Sequence, residues 1–126
     1  MSTNATINVV NAAGNVDSIY LHWDGDSAGN TLVEHYNTIE KATALIKLGN
    51  LSSLGAELGR KHDFDGPHIP EVCTAYGRDR GERNHKAERF DNMAEFLEDG
   101  DVQQYNYLFE NGKWSVAKYD RGFNSI

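Results

Sequence analysis

The dipeptide Asn111-Gly112 constrains this chain more than any other feature. It separates segment 105–110, Tyr-Asn-Tyr-Leu-Phe-Glu, from segment 113–117, Lys-Trp-Ser-Val-Ala. Both segments alternate in side-chain character at the period of a strand. Asn-Gly tolerates positive φ at both central positions of a tight turn, so it closes a two-residue β-hairpin. That closure pairs Glu110 with Lys113, Phe109 with Trp114 and Tyr107 with Val116. The aromatic pairs then share one face, which suits a core-facing hairpin better than an exposed stacking platform.

A second hairpin is predicted at the N-terminus. Ile7 and Val9 alternate with polar residues, Ala13-Gly14-Asn15 supplies a turn, and Ile19, Leu21 and Trp23 share one face of the returning strand. Tyr20, His22 and Asp24 lie on the opposite face. Ser27 can cap a short helix to about residue 36, burying Leu32, Val33 and Tyr36. Another helix follows Thr38, burying Ile39, Ala42, Leu45 and Ile46, and Gly49 stops it. Leu51, Leu54 and Leu58 suggest one more helical turn. Asp91 can cap a helix over 92–99, with Phe90, Met93, Ala94 and Leu97 as its buried stripe and Gly100 as its end. Between these elements, segment 60–88 reads as a long, ordered connection with a short strand around 72–76. The expected fold is a single α+β domain over residues 1–126. Its antiparallel sheet comes from the N- and C-terminal hairpins, with helices mainly on one face.

A length of 126 residues allows one domain with a real core. No apolar run is long enough for a membrane helix, and the first residues lack the pattern of a secretory signal. The single cysteine, Cys73, has no internal partner for a disulfide, which suits a reducing cytoplasm. Residue 73 is expected within a strand, as a packing residue. A net charge of −7 opposes broad binding to nucleic acid or anionic membrane. Yet seven of the twelve basic residues fall between Arg60 and Arg89, leaving room for a local anion site on an acidic body.

Three polar motifs could carry chemistry. His22-Trp23-Asp24-Gly25 ends a strand, so His22 and Asp24 can jointly hold a polar ligand, a water or a metal, with Gly25 and Gly29 permitting close backbone approach. The plainer alternative is a surface histidine beside a turn-capping aspartate. Lys61-His62-Asp63-Phe64-Asp65-Gly66-Pro67-His68 mixes histidine with carboxylate but lacks a helical two-histidine motif; a polar turn pinned by Phe64 is the better reading. Tyr76-Gly77-Arg78-Asp79-Arg80-Gly81-Glu82-Arg83 puts arginines between glycines, suited to phosphate or carboxylate, although it is not a P-loop. Its alternative is a solvated loop in which the arginines pair with Asp79 and Glu82. No nucleophile elbow occurs.

Taken together, Met1-Ser2-Thr3, His22-Trp23-Asp24-Gly25, Leu32 through Tyr36, Leu48 through Leu54, Lys61-His62-Asp63-Phe64, the Tyr76-Gly77-Arg78-Asp79-Arg80-Gly81-Glu82 run and Asn111 through Trp114 resemble a family of small, mostly uncharacterised bacteriophage and prophage proteins. Two departures stand out: Asn4 replaces the family's arginine, and Asp26-Ser27 replace Tyr-Pro. The resemblance implies a phage or mobile-element origin. The expected function is a non-catalytic anti-defence binder that sequesters a nucleotide-like immune signalling molecule in the cytoplasm of an infected bacterial host. Tyr20, His22, Asp24, His62, Tyr76, Arg78, Asp79 and Arg80 are the expected ligand-binding residues, with Arg78 and Arg80 on phosphate. No catalytic residue, metal or cofactor is assigned, and a homo-oligomer is expected because so short a chain makes a deep pocket best across an interface. One alternative is an anti-CRISPR-like inhibitor of a host defence protein, using acidic residues between Asp91 and Asp101. The other is a metal-dependent phosphoesterase built on His22, Asp24, His62 and Asp63.

Overall fold

A computed structural model describes residues 2–126; Met1 of the opening motif lies outside the described residues. Twelve elements follow in order: β1 (Ala5–Val10), β2 (Val16–Leu21), α1 (Ala28–His35), α2 (Ile39–Ile46), β3 (Leu51–Ser53), β4 (Thr74–Ala75), α3 (Tyr76–Arg80), β5 (Glu88–Phe90), α4 (Met93–Asp99), β6 (Tyr105–Glu110), β7 (Lys113–Lys118) and β8 (Asn124–Ser125). The strands form one eight-stranded sheet in the order β4-β3-β2-β1-β6-β7-β8, with β5 pairing β2.

The two hairpins form where the local signals place them. β6 and β7 pair Glu110 with Lys113, Phe109 with Trp114 and Tyr107 with Val116. Asn111 and Gly112 take φ of 54° and 77°, the left-handed values that a turn of this tightness requires. β1 and β2 pair antiparallel across the turn at Asn11 to Asn15.

The sheet is nevertheless mixed, which corrects the expectation of an antiparallel one. β1 runs parallel to β6, and β2 runs parallel to β3. The second pairing follows from α1 and α2: a chain that leaves β2, crosses through helices and returns to its edge arrives parallel. The first joins strands about a hundred residues apart, a pairing that no local pattern encodes.

Helix placement needs a correction too. α1 and α2 cover the face bearing Ile7, Val9, Ile19, Leu21, Tyr107 and Phe109. α4 instead packs Phe96 against Val16 and Phe90, on the other side of the sheet. That second face also buries a polar row: Thr6 donates to Asn106 Oδ1, and Asn8 donates to Thr6 and to the Tyr107 carbonyl. Asn106 in turn donates to the carbonyls of Gln103 and Tyr119, tying the entry of β6 to the end of β7.

Several local expectations move. Segment 51–53 is a strand rather than helix, because its backbone joins the sheet edge beside Leu21. The middle strand shortens to Thr74–Ala75, and Tyr76–Arg80 coils into a short helix ended by Gly81 at φ 71°. Asn92, not Asp91, caps α4, accepting from Glu95 N–H at 2.9 Å. Val33, Ile39 and Trp23 are exposed, not core. β2 has ended before Trp23, so period-two alternation no longer sets the direction of that side chain.

Candidate functional site

The Tyr76-Gly77-Arg78-Asp79 segment turns inward. Arg78 Nε donates to Asp79 Oδ1 at 3.0 Å, Nη1 to the carbonyls of Leu58 and Gly59 at 2.7 and 3.3 Å, and Nη2 to the Cys73 carbonyl and Asp79 Oδ2 at 2.8 and 3.2 Å. Its donor set is thereby filled by the protein. Asp79 is buried, and its two oxygens also accept the N–H groups of His62 and Ala75 at 3.1 and 2.8 Å. Burial pushes the Asp79 carboxyl up, but the Arg78 and backbone donors outweigh it and hold the group below the usual carboxylate range. This pair clamps segment 58–62 to β4 and α3.

Arg80 points the other way and is exposed. It forms a close ion pair with Glu82, and its guanidinium carbon lies 4.3 Å from the Phe64 ring centroid and 5.0 Å from that of Tyr76. Tyr76 stacks on His85 at 5.0 Å and meets the Phe64 ring at a tilt, 5.4 Å between centroids. Phe64 is therefore half-buried against Tyr76 and Arg80.

His22 and Tyr20 form a separate cluster. Tyr20 Oη lies 2.9 Å from His22 Nδ1, and Asn4 Nδ2 approaches the same nitrogen at 3.4 Å while donating to the His22 carbonyl at 2.8 Å. Burial raises the Tyr20 hydroxyl pKa. With the Asn4 amide donor beside the same nitrogen, Nδ1 is placed as the acceptor of this cluster. Asp24, at φ 57°, holds the turn into α1, its carbonyl accepting from Ser27. Gly25 and Gly29 serve the interior rather than a ligand. A Cβ on Gly25 would sit 2.9 Å from Ala5 and from the Asn4 backbone, and one on Gly29 would sit 3.1 Å from Tyr107.

The first two motifs do meet, at a pocket of about 300 Å³. Trp23 and Asp24 contribute from the turn after β2, His62, Asp63, Phe64 and His68 from the long connection, and Ser52, Ser53 and Thr74 from β3 and β4. Trp23 keeps 45% of its surface exposed here. The His62 ring is positioned by three contacts: Nδ1 lies 3.0 Å from the Arg60 carbonyl and 3.6 Å from Asp79 Oδ1, and Nε2 lies 3.2 Å from Thr74 Oγ1. Nδ1 therefore carries the proton and Nε2 accepts from the Thr74 hydroxyl. Tyr20, His22, Tyr76, Arg78, Asp79 and Arg80 do not line this pocket; Asp24 and His62 do, and Arg80 lies on the ring of Phe64, which does. Ser52, Ser53 and Thr74 escaped the sequence reading because small hydroxyl residues carry no signal until strands set them side by side.

Cys73 is buried, with Sγ against Gly55 and Tyr36 Oη, and burial pushes its thiol pKa up. Among the described residues, no three His, Cys, Asp or Glu side chains come together as a metal-ligating group. Nor is any helix among them long and apolar enough to cross a membrane.

The fold and pocket define a mixed α/β sheet protein with a small, aromatic-walled polar pocket at one sheet edge. Comparison with protein-family models, with curated proteins and with solved structures returns no match to this chain.

Proposed function

We propose that this protein is a non-catalytic binder of a nucleotide-like small molecule, acting as a phage-type anti-defence protein in the cytoplasm of its bacterial host. The observation that carries the binding reading is the exposed Trp23 on the same pocket as Phe64 and the hydroxyl residues Ser52, Ser53 and Thr74. A planar base gains most from aromatic walls, and ribose or base edges need the donors and acceptors that His62, Asp24 and Asp63 supply. Arg80, beside Phe64, is the phosphate partner in this reading, whereas Arg78 is committed to Asp79. Tyr76 supports Arg80, and Tyr20 and His22 support the turn that carries Trp23 and Asp24. The anti-defence role rests on the sequence resemblance, and a second copy of the chain is the proposed means of closing so open a pocket.

The test is a fluorescence titration with a panel of linear and cyclic nucleotides. Trp114 is buried, so saturable quenching reports Trp23. Trp23→Phe should abolish that signal, and calorimetry of Arg80→Ala should show affinity weakened about tenfold with an unchanged melting temperature. Absence of saturable binding across the panel sinks the reading.

One observation favours the inhibitor reading as a second choice. Asp91, Glu98, Asp99 and Asp101 on and around α4 are exposed and form no ion pair among the described residues. If they cover a basic groove on a partner, replacing them with Asn or Gln removes inhibition while Trp23→Phe and Arg80→Ala leave it intact.

A further inference from the structure

We infer that the groove between the end of α2 and segment 82–86 is a second binding site, one that takes the phosphate chain of a small phosphorylated molecule. Lys47, Arg83 and Lys86 line an open hollow of about 720 Å³ together with Leu48, Gly77 and His85. Through Lys47 and Lys86 it runs into a neighbouring hollow that carries Arg89. It shares no lining residue with the aromatic pocket.

Charge makes this groove distinctive. The carboxylates lining the two hollows are already engaged: Glu82 with Arg80 and His85, Asp17 with Arg89 at 2.8 Å. Lys47, Arg83 and Lys86 form no ion pair among the described residues. On a chain of net charge −7, uncompensated cations gathered in one concavity repel one another and are relieved by a bound polyanion.

The groove is also built, not accidental. Asn50 N–H donates to the His85 carbonyl at 2.8 Å, Asn50 Nδ2 lies 3.1 Å from His85 Nδ1, and Asn50 Oδ1 accepts Tyr20 N–H at 2.9 Å. Since Oδ1 is the acceptor of that amide, Nδ2 donates to His85 Nδ1 and leaves Nε2–H for Glu82 at 2.9 Å. Gly49 lies so close to the His85 carbonyl that a Cβ would come within 2.0 Å. These contacts hold Lys86 against the helix end that bears Lys47. The cations occupy a short groove rather than a long face, which fits a di- or triphosphate better than the extended backbone of a nucleic acid.

The experiment is calorimetric and NMR titration of the intact chain with inorganic pyrophosphate, at low and high salt. Saturable binding that weakens with salt, is lost in Lys47→Ala/Lys86→Ala, and persists in Lys47→Arg/Lys86→Arg and in Trp23→Phe, is the expected result. The arginine pair keeps the charge, so its retention separates loss of charge from loss of fold. No saturable binding at millimolar pyrophosphate, or unchanged affinity in the alanine pair, overturns the site. Binding of a duplex oligonucleotide through the same lysines with pyrophosphate silent overturns the small-molecule assignment.

Discussion

Arg78 and Asp79, adjacent in the chain, grip each other at two points, Nε on Oδ1 at 3.0 Å and Nη2 on Oδ2 at 3.2 Å. The Asp79 side chain is fully buried and that of Arg78 keeps 18% exposure, so the pair is structural before it is anything else. Removing one partner strands the other charge. Arg78→Ala is expected to lower unfolding free energy by about 3–5 kcal/mol in urea titration. Arg78→Lys should recover little of it, because an ammonium cannot reach the Leu58, Gly59 and Cys73 carbonyls and both carboxylate oxygens together. A loss below about 1 kcal/mol, the scale of an exposed pair, would show that the clamp is not structural.

The same pair sets an acid dependence. Asp79 has a folded-state pKa below its ordinary 3.8, so the unfolded chain binds the proton more readily. Its contribution is complete above the ordinary value and is lost as pH falls through the folded value. Stability of the wild type should therefore decline below about pH 4. Asp79→Asn, already destabilised, should lose that part of the slope, and an unchanged slope would assign the decline to other carboxylates.

Gly49 predicts a contrast with Gly81. Both have positive φ, 76° and 71°, but a Cβ on Gly81 meets nothing within 4 Å whereas one on Gly49 meets the His85 carbonyl. Gly81→Ala should cost about 1–2 kcal/mol, the strain of a left-handed L-residue. Gly49→Ala should cost clearly more and should shift the amide resonances of 84–87 and Asn50. Equal costs would mean that the His85 contact yields freely.

Tyr107 provides the alkaline limb. Its hydroxyl donates to the Gly25 carbonyl at 2.6 Å, and burial pushes its pKa up to about 12. A raised folded pKa gives stability that is present below the unfolded value of 10 and is lost as pH rises through the folded one. Tyr107→Phe should flatten the decline between those values and loosen the turn at Gly25, read by hydrogen exchange. Persistence of the full decline would shift it to another tyrosine.

Local chemistry determined much of this protein from sequence alone. The Asn111-Gly112 turn with its register, the alternation of Ile7 and Val9 against Ile19 and Leu21, the Thr38 cap and the stop at Gly100 depend on neighbours a few residues away. By contrast, α2 ends at Ile46 with Lys47 as its C-cap, short of Gly49. Polar stretches 22–25, 61–68 and 76–83 were legible as such, but that the first two meet at one pocket and the third does not line it was decided by the fold. The tertiary structure alone decided the rest. Pairing β1 with β6 makes the sheet mixed, and it depends on how two distant hairpins dock. Whether an arginine faces solvent or carbonyls depends on what surrounds it: Arg78 and Arg80 are identical in sequence character, yet one closes an internal clamp and the other lies on Phe64. Trp23 left the core because its strand ended two residues earlier, at Leu21. The hydroxyls of Ser52, Ser53 and Thr74, and the cations Lys47 and Lys86, gain meaning only by proximity, which long-range packing supplies and a linear pattern does not record.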